Sequence, residues 1–174
     1  MSVEAQIMVA ALHRVRETIK TVDDRIEDIC LKFPEYSFLL TIPGFGPDVS
    51  SKVLAAIGDP ERFTSGKQVL KMAGFDLCAD RSGKKSNSAT PVISKHGKAD
   101  LRFALYQGAI ISSLNNKEFI VYHTNKIRGR EREKGIGTKM RVKLAAKLLI
   151  IAWTLMKKKE PFDPKCINQG DSTA

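Results

Sequence analysis

Eight apolar residues near the N-terminus, Met8, Leu12, Val15, Ile19, Val22, Ile26, Ile29 and Phe33, follow one another at alternating spacings of four and three. Only a long α-helix puts residues about 3.5 apart on one line, and the line so made is narrow. Charges surround it: Arg14, Arg16, Glu17, Lys20, Asp23, Asp24, Arg25, Glu27 and Asp28. Pro34 is expected to end the helix, because it lacks an N–H and its ring collides with the preceding turn. A stripe of this width needs another helix, either on a second chain or along the domain behind it. The expectation is a coiled coil between two chains, with residues 1–36 as a dimerisation helix and a homodimer formed through residues 8–33.

The segment FLLTIPGFGPDVSSKVLAAIGD, residues 38–59, runs from an apolar turn through Pro43, Gly44, Phe45, Gly46 and Pro47 into a helix over roughly 48–57. Val49, Val53 and Ile57 share one side of that helix. This is the pattern of a helix-hairpin-helix element. Gly44 and Gly46 allow a tight turn whose N–H groups, beside a helix N-terminus, can meet a phosphate, and Lys52 adds a charge one turn later. Such an element grips backbone rather than bases. The alternative is a plain helical hairpin whose turn touches nothing.

Further on, Ser65 has the position of an N-cap and Gly74 that of a C-terminal cap around SGKQVLKMAG. A helical pattern resumes at Lys98, with Leu101, Ala104, Leu105, Ala109 and Ser112 on one face. Residues 125–139 read as a glycine-punctuated, charge-dense connector holding Arg128, Arg130 and Lys139, with Arg141 just beyond, four candidate contacts to nucleic-acid phosphates. The last strong element, KMRVKLAAKLLIIAWTLMKKKE, repeats Met140, Leu144, Leu148, Ile151 and Leu155 at helical spacing and turns apolar on most sides from Leu148 to Met156. It is the expected central core helix. Short strands are expected only near Phe75–Ala79 and Thr90–Ser94. The fold class is therefore mainly α: a long coiled-coil helix, then a compact helical domain over residues 37–164, then a flexible tail over 165–174.

Charge separates these parts. Of a net +10, residues 1–36 carry five Lys/Arg against seven Asp/Glu, a balance of −2, so the remaining residues carry +12. A globular part that basic points to a polyanion, usually nucleic acid; a basic protein without such a partner is the bland alternative. Cys30, Cys78 and Cys166 form no CxxC pair, and His13, His96 and His123 are scattered, so reduced thiols and no zinc site are expected. No apolar run approaches the roughly 20 residues that span a bilayer, and a cytoplasmic setting is expected.

Cutting a phosphodiester needs either carboxylates that hold divalent metals or a nucleophile. The carboxylates of the basic part are sparse and sit mostly at element ends or among arginines; only Asp76 and Asp80 flank a segment of interest. A self-contained metal nuclease is therefore not expected. That segment is RSGKKSNSATPVISKHGK, residues 81–98, with four serines among basic residues and no acid. Ser82 is the candidate nucleophile. Arg81 precedes it, Gly83 frees the backbone after it, and Lys84 and Lys85 supply positive charge for a crowded phosphorane. The same residues also suit an exposed basic loop.

The blocks LLTIPGFGPDVSSKVLAAIGDPERFTSGKQVLKMAGFD, RSGK, ISKHGKADLRFALYQGA and KLAAKLLIIAWTLMKKKEPFD occur in one order. Over roughly residues 38–164 they resemble the C-terminal serine-bearing domain of the DEDD-type insertion-sequence transposases, the group related to the Piv and MooV recombinases. The resemblance implies a DNA recombinase with Ser82 as its serine nucleophile. Arg81, Lys84, Lys95 and Arg102 would contact phosphates. It further implies a coiled-coil linker and an N-terminal acidic domain holding divalent metal (Mg), with no cofactor expected in this stretch itself. Some members are guided by an RNA of the element, which adds a guide RNA to DNA among the implied partners of a bacterial or archaeal protein. His96 stands where the family usually has Arg or Lys. With the acidic domain not in the chain, the expectation is a fragment or truncated copy that binds nucleic acid and dimerises but does not recombine DNA. The runner-up is a non-catalytic helix-hairpin-helix binding module; a third reading is an RNA- or ribosome-associated protein.

Overall fold

The computed structural model describes residues 2–78 and 92–167. Helix α1 (Val3–Cys30) starts at Ser2, whose hydroxyl accepts the Ala5 N–H at 3.3 Å. It ends at Cys30, before Pro34. Pro34 instead opens α2 (Pro34–Leu40) at a first-turn position, where a missing N–H costs nothing, and it holds Phe33 extended at φ −107°. Phe33, the last residue of the heptad line, therefore lies outside α1. Apart from Cys30, whose thiol is pushed up by burial and then by Glu27, α1 buries no side chain.

A turn over residues 41–46 leads to α3 (Pro47–Ile57), and a 3-10 turn (Pro60–Arg62) to α4 (Gly66–Ala73). Ser65 occupies the N-cap of α4 but its side chain makes no capping bond; the Gln68 side chain accepts the Thr64 N–H instead, at 3.0 Å. Gly74, at φ 72°, closes α4 in the left-handed region. Strands β1 (Leu77–Cys78) and β2 (Val92–Ile93) pair antiparallel, Leu77 opposite Ile93 and Cys78 opposite Val92.

Three helices complete the bundle: α5 (Ala99–Asn115), α6 (Lys117–Ile127) and α7 (Ile136–Lys158). The division between α5 and α6 is not evident from apolar spacing. It is made by Asn116, extended at φ −113°, whose side chain accepts the Phe119 N–H at 3.1 Å. The charged connector is correspondingly shorter than its composition suggests, spanning residues 128–135 between α6 and α7, with Gly129 and Gly135 both left-handed.

Helix α7 is the axis of the core. Leu144, Ala145, Leu148, Leu149 and Ala152 are fully buried, and α2, α4, α5 and α6 pack around it, with α3 laid on α5. The Trp153 indole N–H donates to the Pro60 carbonyl at 2.9 Å, tying α7 to the 3-10 turn. Past α7, the Phe162 ring stacks on Phe119 at 5.8 Å, and its N–H donates to the Thr41 hydroxyl at 2.8 Å. No helix among the described residues is long and apolar enough to cross a membrane.

Candidate nucleic-acid interface

Ser82, with Arg81, Lys84, Lys85 and Asp80, lies outside the described residues; the stem on either side is described. β1 and β2 hold Cys78 beside Val92. The stem is fixed at its base by Asp76. Its backbone carbonyl accepts the Ser94 N–H at 2.8 Å, and its carboxylate accepts the Ser94 hydroxyl at 2.5 Å. The His96 N–H donates in turn to the Ser94 hydroxyl at 3.3 Å. Asp76, flanking the serine-rich segment, is thus engaged in holding the strand that leaves it.

From Ser94 the chain is pressed against the C-terminal end of α4. The Lys95 N–H donates to the Gly74 carbonyl at 3.1 Å and the Lys98 N–H to the Met72 carbonyl at 3.2 Å. At Gly97 a side chain would run into the Met72 carbonyl oxygen and the Gly74 nitrogen, so only glycine lets the two backbones come this close. The wrap leaves Lys95 at φ 59°, a conformation that non-glycine residues adopt at a cost, with its side chain in solvent. Arg102, on the first turns of α5, donates from Nη1 to the Ala73 carbonyl at 2.9 Å. Arg62 and Lys98 reach the Ala56 carbonyl at the end of α3 in the same way, at 2.9 and 3.4 Å. Cations here satisfy helix C-terminal carbonyls, where the helix dipole is negative. Lys95 and Arg102 are brought together on one groove; Arg102 has one nitrogen already engaged in the fold.

At the turn over residues 41–46 the two glycines face opposite ways. Gly44, at φ 88°, lies against α5, where a Cβ would strike the Ser112 hydroxyl and the Gly108 carbonyl. The Ser112 hydroxyl sits between the Pro43 carbonyl at 2.5 Å and the Gly108 carbonyl at 2.7 Å. Gly44 is therefore an internal packing residue. Gly46 is the N-cap of α3 and opens to solvent. Asp48, in the first turn of α3, puts a carboxylate where a phosphate would bind and pairs with Lys52 at 2.6 Å. Both features weigh against this turn as a strong phosphate cradle.

Of the cations around the connector, Arg128 and Lys139 are exposed, and Arg130 makes a two-point ion pair with Glu133 at 2.8 and 2.9 Å. That pair pulls the Glu133 carboxyl below the usual range and raises Arg130. Arg141 is half-buried, and its Nε is buried without a partner. Two aromatic residues that apolar spacing passes over, Phe103 and Tyr106, line the groove with Lys95 and Arg102. Their signal in the sequence is negative: they sit on α5 off the face of Leu101, Ala104 and Leu105. Among the described residues no three His, Cys, Asp or Glu side chains are grouped to hold a metal.

Fold and site together define a class: a basic, mainly α-helical module with a short two-stranded ladder beside a groove lined by cations. Residues 36–124 match the family described as Transposase IS116/IS110/IS902 family, and the chain belongs to it. The chain is 30% identical over 155 residues to the pilin gene-inverting protein of Moraxella bovis, and 29% identical over 155 residues to that of Moraxella lacunata. Each alignment covers 86% of this chain but 46% of the relative, so the chain spans about half the length of these proteins.

Proposed function

We propose that this chain is the DNA-binding, serine-bearing part of an insertion-sequence transposase of the DEDD type. Ser82 is the nucleophile, and the exposed heptad stripe joins two copies. The observation that carries the reading is the hairpin stem. The chain leaves β1 at Cys78 and returns at Val92, next to the groove lined by Lys95 and Arg102, and the sequence between them holds Ser82 with Arg81, Lys84 and Lys85. Family membership supports a DNA substrate.

In the proposed step the Ser82 hydroxyl oxygen bonds to phosphorus while one phosphorus–oxygen bond of the strand breaks. The hydroxyl proton is lost and the departing sugar oxygen gains one. The number of phosphoester bonds is unchanged, so the reverse step rejoins DNA without an external energy source. Neighbouring cations stabilise the added charge on phosphorus. The divalent metal (Mg) expected of such a recombinase needs a carboxylate cluster that the described residues do not provide.

The test joins this chain to a carboxylate-bearing domain of a family member and supplies DNA, Mg²⁺ and the element's RNA. A covalent protein–DNA adduct that vanishes in Ser82→Ala, with DNA binding retained, is expected; normal recombination by Ser82→Ala would end the assignment. Sedimentation of the chain alone is expected to show a dimer that Ile19→Lys or Ile26→Lys weakens, and a monomeric unmutated chain would overturn the pairing.

A further inference from the structure

Between the hairpin base and α5 runs a groove of about 290 Å³, lined by Phe75, Ile93, Lys95, Arg102, Phe103 and Tyr106 among others. Four properties of it go together. Three aromatic rings, Phe75, Phe103 and Tyr106, stand in its walls, and Phe103 keeps 62% of its surface exposed, so its face is open to a ligand. Its charged residues are cations, and among the described residues no carboxylate lines it. It is small, at the lower end of pockets that take a single ring system, too small for a folded element. Finally, Lys95 is held at its rim in the left-handed conformation by the wrap over α4. A non-glycine residue kept there by surrounding bonds, with its side chain free in solvent, marks a place where position matters more than local comfort.

An apolar wall alone would suit a peptide side chain. Cations beside exposed rings suit a nucleotide, whose flat base stacks on the ring while its phosphate meets the cation. We propose that this groove takes one unpaired base of the nucleic acid, stacked on Phe103 and Tyr106, with Lys95 and Arg102 on the adjoining phosphates. The inference rests on the DNA-handling reading above and deepens it. The substrate is not a uniform duplex but one with a base out of the stack beside the hairpin that carries Ser82. Stacking is indifferent to base identity, so the groove would register the unpaired state rather than the sequence.

The experiment compares binding of the full chain to a short duplex carrying one unpaired 2-aminopurine with binding to the same duplex fully paired. The unpaired substrate is expected to bind about fivefold or more tightly, the range of one base–aromatic stack, and 2-aminopurine emission is expected to fall on binding. Phe103→Ala and Tyr106→Ala should each reduce the preference and the quenching, whereas Phe103→Trp should keep both. Phe103 is exposed, so its truncation leaves the core intact; thermal melting checks this. Equal affinity for the two substrates overturns the groove proposal and leaves duplex binding standing. Preference that survives both alanine variants also overturns it, because the base is then read elsewhere. Binding to the unpaired substrate alone would support the groove and count against duplex binding. Binding to neither would remove both, and an apolar peptide would become the occupant to seek.

Discussion

Helices α1 and α7 are the two longest, 28 and 23 residues, and each repeats apolar residues at helical spacing. Their fates are opposite. The α1 stripe, from Met8 to Ile29, stays 41–74% exposed, while Leu144 and Leu148 of α7 have no exposure at all. The difference lies in what flanks each apolar line. In α1 charges close in on both sides, leaving a seam that one partner helix can cover. In α7, Leu148, Leu149, Ile151, Ala152, Leu155 and Met156 point in most directions, so the helix must be surrounded. Apolar residues on one helix thus found their partners within the chain, and those on the other did not.

The sharpest way to break this contrast is to truncate one residue from each. Leu148→Ala is expected to cost about 2–5 kcal/mol, as for any fully buried leucine whose surroundings cannot collapse, measured by denaturant unfolding. Ile19→Ala, at a concentration low enough to keep chains apart, is expected to cost no more than about 0.5 kcal/mol. A comparable loss for Ile19→Ala would mean that α1 folds back on its own domain in solution.

The two glycines of the turn before α3 repeat the contrast on a smaller scale. Gly44→Ala meets both a positive φ of 88° and the wall of α5, and is expected to destabilise by about 1–3 kcal/mol. Gly46→Ala points into open space and costs only the poorer N-cap, under about 1 kcal/mol. Similar losses for the two would place Gly44 away from α5. Trp153→Phe sharpens the α7 side: it keeps most of the ring packing but loses the hydrogen bond to the Pro60 carbonyl, for about 0.5–1.5 kcal/mol in thermal unfolding.

These same residues show what can be read from sequence. The helical class, the core face of α5 and the centrality of α7 follow from apolar period, because burial follows period. The short strands were legible for a different reason, as β-prone runs on either side of a polar segment. What period could not show was punctuation. Asn116 splits α5 from α6 through a side-chain bond, and Pro34 opens a helix rather than merely ending one. Nor did glycine spacing reveal direction: Gly44 and Gly46 are two residues apart, and only the position of α5 decides which one faces inward. For the candidate site, the cations were legible one by one, but their engagements were not. Arg102 on the Ala73 carbonyl and Arg130 on Glu133 depend on where chain ends and turns fall in space.

The smallest expected effect concerns that last pair, on the connector that leads into α7 and is as solvent-facing as α1. Glu133 is lowered first by its hydrogen bond from Arg130, whereas Glu131 is lowered by backbone N–H groups of its own residue and of Gly129. A carboxyl lowered in the folded state lends stability that is present above its unfolded pKa and fades as pH falls through its folded one. Here both partners lie at the surface, so the contribution is slight and screened by salt. The cleaner measurement is a carboxyl titration followed by NMR. Arg130→Gln is expected to return Glu133 to the ordinary glutamate range and leave Glu131 where it is. Added oligonucleotide then puts the phosphate role of Arg130 to the test. If a phosphate draws the guanidinium away, the Glu133 midpoint rises towards its ordinary value at constant salt while that of Glu131 moves less. If the midpoint stays fixed with DNA bound, Arg130 is a tether of the connector and not a DNA contact.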